Sequence, residues 1–385
     1  MSDGARVDGV VGGWCDPAFG AVRTAFAENF ASRGEVGAAV CVVVDGVVVA
    51  DLVGGWADAA RSRPWRPDTL VNFYSVGKAL VALLALQLVD RGLIGLDTPI
   101  ASVWPQFGHG GKETVTLRMA LCHQAGVPAI RARLTNEDLW SWDRMTDALA
   151  GTEPWWPPGS RHAYHTNTFG HLIGEVVRRV SGEPPGERLR AVAAPLGADV
   201  WFGVPAARQH RCAEVIWAPA GSPIAVDLDT VDLSGEALMN ALAHFNPPGY
   251  SSVGVVNTAR WRSAQLPSTN GHGTARGLAT LYAALLRPGE LVSPGLLDHA
   301  ARVHSSGPCP ILGADVVFGL GFTPTSPRRP LGPNPRSFGH FGTGGALGFA
   351  DPDAGVAFGY VMNHVVPRWR SSRNQALIAA IYESW

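Results

Sequence analysis

From Val76 to Leu88 the chain reads Val-Gly-Lys-Ala-Leu-Val-Ala-Leu-Leu-Ala-Leu-Gln-Leu, apolar at nearly every position. The run is too long for a strand and fits a helix beginning near Ser75. A surface helix is apolar along one stripe only, whereas a helix apolar all round is buried on most sides. Other elements must therefore close over it. The 385 residues give ample material for that, as one large domain or as two lobes.

Strand patterns occur toward both ends of the chain. Gly37-Ala-Ala-Val-Cys-Val-Val-Val and Val47-Val-Val-Ala-Asp-Leu-Val flank Asp45-Gly46, a strong hairpin signal. Late in the chain, Ser337-Phe-Gly-His-Phe-Gly precedes two further runs, from Gly348 and from Val356, with a turn over Asp351 to Gly355. Helical patterns cover residues 16–33, Leu172 to Val180, Gly277 to Leu286 and an amphipathic Asn374 to Tyr382. Between about 90 and 275, short helices are broken by Pro and Gly clusters such as Pro154-Trp-Trp-Pro-Pro-Gly159. The reading is an α/β (α+β) fold: an antiparallel sheet built from both ends, flanked by helices, with an inserted helical lobe. Within a single domain 1–385, residues 1–89 and 276–385 form the α/β lobe and 90–275 the helical lobe.

A hydrophobic content of 46%, a charged content of 16% and a net charge of −1 describe a compact protein. No global field favours nucleic acid or an anionic membrane. The cluster Arg368, Arg370 and Arg373 reads as a solvated turn. Five cysteines (15, 41, 122, 212, 309) lack metal-like spacing, and Cys41 and Cys122 read as core residues. His162, His165 and Glu175 lack a third convergent ligand, so neither metal nor cofactor is expected. The N-terminal residues carry no signal pattern, and no apolar run reaches eighteen residues, so the expectation is a cytoplasmic protein in a reducing compartment.

The cations are distributed unevenly. Twenty-nine arginines stand against two lysines, Lys78 and Lys112, and Lys78 follows Ser75 by three residues. Arginine stays protonated in any protein, while a buried lysine can lose its proton and act as a base. Ser75 and Lys78 lie one helical turn apart, at the spacing of a serine nucleophile and its lysine partner. A nucleophile there faces the positive end of the helix dipole. No serine sits in Gly-x-Ser-x-Gly, so the strand–elbow–helix nucleophile is absent. An activated serine also needs a base and oxyanion donors. Tyr164, in Arg161-His-Ala-Tyr-His-Thr-Asn167, and the glycine-rich end of Gly339-His-Phe-Gly-Thr-Gly-Gly345 can supply them.

The ordered set Ser75-Val-Gly-Lys78, Tyr164-His-Thr166 and His340-Phe-Gly342 resembles the serine β-lactamase and penicillin-binding-protein superfamily. The likeness is nearest class C β-lactamases and the family VIII type of carboxylesterase. Leu121-Cys-His-Gln-Ala-Gly-Val-Pro128, Asn270-Gly-His-Gly-Thr-Ala-Arg276 and Phe318-Gly-Leu-Gly-Phe322 extend it over nearly the whole chain. The resemblance implies the β-lactamase/transpeptidase-like fold and an acyl-enzyme on Ser75. Lys78 and Tyr164 would share the proton traffic, with the identity of the base left open. Ser75 and Thr343 would supply the oxyanion N–H groups. His340, Gly342, Thr166 and Trp156 would line the substrate site, with Trp155 and Trp156 as candidate walls of an acyl pocket; His123 and His272 read as structural.

Two departures bear on the substrate. The third residue of the tyrosine motif, usually Asn in β-lactamases, is Thr166, and the lysine that attracts a β-lactam carboxylate is His340. Both weaken recognition of an anionic β-lactam and point to esters. The leading expectation is a carboxylesterase acting on a small-molecule ester. Acyl transfer to an amine or alcohol is the second; a β-lactamase or a non-catalytic binding protein follows. The acyl group, the alcohol and the oligomeric state carry no signal in the sequence.

Overall fold

The computed structural model describes residues 11–217, 228, 232–250, 254–366 and 370–384. The N-terminal residues read for a leader, and Arg368 of the basic cluster, lie outside them.

Seven strands form one antiparallel sheet: β1 Val11–Cys15, β2 Gly37–Val44, β3 Val47–Gly55, β4 Thr323–Pro324, β5 Phe338–Phe341, β6 Leu347–Asp351 and β7 Val356–Met362. Their spatial order is β1-β3-β2-β7-β6-β5-β4. The two ends of the chain meet at β2 and β7, where Val40 stands opposite Tyr360. Asp45 and Gly46 both have positive φ, 48° and 79°. That is the type I′ geometry whose twist matches a hairpin. Every residue of β7 is buried, as are all of β2 but the last, so both faces of the sheet centre are covered.

Six helices matter here: α1 Gly20–Ser32, α2 Val76–Asp90, α3 Thr168–Ser181, α4 Gly235–Phe245, α5 Ala275–Leu286 and α6 Ser372–Tyr382. Neighbouring β7 residues show how the layers divide, because successive side chains point to opposite faces. A β-carbon at Gly359 would meet Ala275 and Leu278 of α5. Tyr360, on the other face, reaches Glu35, which Arg373 of α6 also holds. α1 packs against α6 and against β1 and β3. The apolar helix α2 is buried from Val76 through Leu88, between α3 and strand β5. Among the described residues no helix is long and apolar enough to cross a membrane.

Three features differ from the sequence reading. Arg373 is not in a solvated turn: its guanidinium is buried against Glu35 and donates to the carbonyls of Arg33 and His364. A hairpin of Ser305–Cys309 and Ala314–Phe318 was hidden because Ser-Ser-Gly-Pro-Cys has the composition of a loop. Val71–Asn72, His272–Gly273 and Val200–Trp201 form a small sheet from two-residue strands, too short to leave a period.

Candidate active site

The seat of Ser75 is set by the chain just before it. Val71–Asn72 pairs with His272–Gly273, and the Phe73 N–H donates to Gly271 O at 2.8 Å. Tyr74 then takes φ +50°. A left-handed bulky residue is an outlier, and such strain costs about 1–3 kcal/mol and collects at functional sites. The tyrosine is held there by burial and by edge contact with Trp217, at 6.1 Å between ring centroids. The turn it makes delivers Ser75 to the N-cap of α2, where the Val76, Gly77 and Lys78 N–H groups turn back to the carbonyls of Phe73, Tyr74 and Ser75. Ser75 does not spend its side chain on capping those amides. The hydroxyl faces Lys78, whose Nζ lies 3.1 Å from Ser75 Oγ and donates to Ser268 O at 3.0 Å.

That carbonyl reaches Lys78 because two glycines let its segment through. A β-carbon at Gly77 would stand 2.3 Å from Pro267 O, and one at Gly170 would stand 2.4 Å from Ser268 N. The 267–268 backbone is thus wedged between α2 and α3. Lys78 is fully buried, and burial pulls its pKa well below the usual lysine value; among the described residues no acidic side chain opposes the shift.

Tyr164 lies against this lysine, with Nζ 4.8 Å from its ring centroid. Burial drives the phenol above the ordinary tyrosine value, while the Ser75 hydroxyl and then Arg329 pull it part of the way back. Trp156, Met239 of α4 and Phe318 of the hairpin share its apolar cluster. Trp156 is buried there, its Nε1–H donating to Arg161 O at 3.1 Å. Thr166 donates its N–H to Tyr164 O at 2.9 Å, and its hydroxyl is buried without a hydrogen-bond partner.

Strand β5 brings the third motif to the same place. A β-carbon at Gly342 would stand 2.3 Å from Phe73 O, so the strand end abuts the backbone leading into Ser75. Gly342 N–H donates to Ala346 O at 2.7 Å. Thr343 follows, half-buried, in a short turn to Gly345. His340 is buried 6.3 Å from the Tyr164 ring, between centroids. Its Nδ1–H donates to Phe341 O at 2.8 Å. Burial first, then Lys78, push its pKa down to about 3, so the imidazole is uncharged at neutral pH.

Three contributors escaped the sequence reading as members of this site. Ser268 acts through its carbonyl, which has no side-chain signature. Arg329, in a turn closed by the Arg329 N–H to Ser326 O bond, acts electrostatically on Tyr164 and His340. His123, read as structural, packs on Tyr164. Glu175 is saturated by Arg178, Arg179 and Trp142 rather than turned toward His162 or His165.

The beta-lactamase family model matches residues 22–383. The protein called esterase/beta-lactamase LipL, from Mycobacterium tuberculosis, is 34% identical over 94% of this chain and 85% of its own. A family VIII carboxylesterase structure superposes with a TM-score of 0.87 at 36% identity, covering 97% of this chain and 100% of that one. A penicillin-binding protein homolog from Caulobacter crescentus gives 0.89 at 37% identity, again over 97% and 100%.

Proposed function

The chain belongs to the beta-lactamase family, and from that premise we propose that it is a serine carboxylesterase that carries the acyl group of its substrate on Ser75. The observation that carries this reading is the Lys78–Ser75 contact at 3.1 Å, with the amine fully buried and no acid among the described residues opposing it. A neutral amine has a lone pair for the serine proton; a phenol held above its ordinary pKa keeps its own. Lys78 is therefore the base. Ser75 Oγ attacks the ester carbonyl as its proton moves to Nζ. The oxyanion is held by the Ser75 and Thr343 amides. Gly342 supports that choice, since its own N–H is taken by Ala346. The tetrahedral intermediate expels the alcohol, which takes a proton from Tyr164, and Lys78 reprotonates the phenoxide. Water then attacks the acyl-enzyme by the same route.

Around the reacting carbonyl, Thr166 and His340 face the substrate, Gly342 allows close backbone approach and Trp156 walls the acyl side. An uncharged His340 offers little to a carboxylate, which supports small neutral esters over β-lactams. The relative is named for both activities and the structural neighbour as a carboxylesterase; acyl transfer gains no support from either. Five free cysteines suit the reducing, cytoplasmic placement.

The test is intact mass after mixing with a short p-nitrophenyl ester. An added acyl mass that water clears is expected, and none with Ser75→Ala. An adduct that survives Ser75→Ala would overturn the assignment, and nitrocefin turnover rivalling the ester in kcat/KM would overturn the substrate class.

A further inference from the structure

The tyrosine motif is held by an unusual clamp. Three consecutive backbone amides, those of Ala163, Tyr164 and His165, donate to acceptors outside their own segment. Ala163 N–H goes to His123 O at 3.1 Å, Tyr164 N–H to Cys309 Sγ at 3.3 Å, and His165 N–H to His123 Nδ1 at 3.1 Å. One residue thus brackets Tyr164 on both sides, with its carbonyl and with its imidazole.

His123 can do this because it has φ +65°. Such a conformation is uncommon outside glycine and costs backbone energy. The ring itself is sandwiched, with its centroid 4.4 Å from Phe318, 4.9 Å from Phe169 and 5.0 Å from Tyr164. Nδ1 accepts a hydrogen bond, so the ring is neutral with its proton on Nε2. The second shoulder of the clamp is tied to the first: Ser305 Oγ, on the hairpin that carries Cys309, donates to Cys122 O at 2.7 Å.

We propose that His123 is a positioning residue for the reaction, fixing the Tyr164 hydroxyl against Ser75 and Lys78 by gripping the amides on either side of it. The inference rests on the role given to Tyr164 above. A histidine that merely fills the core would need its volume; one that grips amides needs an acceptor at Nδ1 and tolerance of a left-handed backbone. Asparagine meets both needs in a smaller side chain, since its Oδ1 sits where Nδ1 does. Leucine fills the space and accepts nothing.

The experiment compares His123→Asn, His123→Leu and Tyr164→Phe in the hydrolysis of an alkyl ester such as ethyl butyrate, whose alkoxide needs a proton to leave, with unfolding midpoints recorded for each. His123→Asn is expected to keep kcat within about fivefold. His123→Leu is expected to lose about 10²-fold in kcat with KM within about twofold, the size of a 1 Å misplacement of a reacting group. Should His123→Leu fail to fold, Cys309→Ala removes the middle acceptor and is expected to lower kcat alone, by about tenfold. Leucine working as well as histidine, asparagine failing as badly as leucine, or Cys309→Ala leaving kcat unchanged overturns the proposal. Tyr164→Phe separates the two layers of argument. If it leaves kcat intact, the reading of Tyr164 as proton donor fails; if it abolishes kcat while His123→Leu does not, only the positioning role fails.

Discussion

Among the described residues two cations, Arg373 and Lys78, are buried beside a tyrosine, and they have opposite company. Arg373 lies against the Glu35 carboxylate at 2.9 Å, with Tyr360 donating to the same acid and two backbone carbonyls taking the other guanidinium protons. Lys78 has a serine hydroxyl, one carbonyl and the face of Tyr164. An arginine cannot shed its proton, so burying it requires an acid. A lysine buried without an acid sheds the proton instead. The first arrangement is a staple between α6 and the segment before β2; the second suits the base proposed above. What separates them is the presence or absence of one carboxylate, not the depth of burial.

The sharpest way to break this contrast is to make the lysine behave like the arginine. Lys78→Arg keeps the charge but brings a group that stays protonated. It is expected to lose about 10²–10⁴-fold in kcat/KM for a p-nitrophenyl ester, in a variant shown to be folded by circular dichroism. Activity within tenfold of wild type would mean that Lys78 acts as a fixed cation. The converse change, Arg373→Met, strands Glu35 as an uncompensated buried acid and is expected to cost about 3–5 kcal/mol in urea unfolding. Its kcat/KM per folded molecule is expected to be unchanged at low temperature. Glu35→Gln added to Arg373→Met should recover much of the loss; if it adds to it, the pair is not the staple described.

The pH profile distinguishes the two cations without substitution. Lys78 must be neutral to take the serine proton, so kcat/KM is expected to fall about tenfold per unit as pH drops through its lowered pKa, an inflection well below 10.5. His340 contributes nothing above about pH 3, where it is already neutral. An inflection that appears in kcat but is absent from kcat/KM and from single-turnover acylation would assign it to deacylation instead.

The contrast also shows what was legible in the chain. The scarcity of lysine drew attention to Lys78 and Lys112 equally, yet Lys112 donates to the His109 and Thr152 carbonyls and serves a loop. Only the serine three residues earlier separated them. The apolar run of α2, the Asp45-Gly46 hairpin and the late strands left periodic signals, so the sheet and the central helix could be read. The Ser268 carbonyl and the His123 clamp could not, because one acts through a backbone atom and the other grips backbone amides, and both depend on where distant segments lie. Arg373 was misread for a related reason. Neighbouring cations suggested solvent, while the acid that buries this one lies 338 residues away.

The smallest expected effect concerns stability, and it runs opposite to activity. Burial lowers the Lys78 pKa in the folded chain below its ordinary value of 10.5. Between the lowered pKa and about 10.5 the unfolded chain binds a proton that the folded chain does not, so stability rises with pH across that window. Below the lowered pKa both states are protonated and the penalty is at its full size; above 10.5 it is gone. Lys78→Met removes the titrating group while keeping an unbranched side chain of similar length. The variant is expected to be inactive and more stable than wild type at pH 7, by about 0.5–2 kcal/mol, the range common for such active-site replacements. The advantage should shrink toward pH 10. Urea midpoints for both proteins at pH 7 and pH 10 measure it. Equal differences at the two pH values would mean that Lys78 stays charged in the fold, and the distinction from Arg373 would collapse. A variant less stable at both would mean that the hydrogen bond to Ser268 O outweighs the cost of burying the amine.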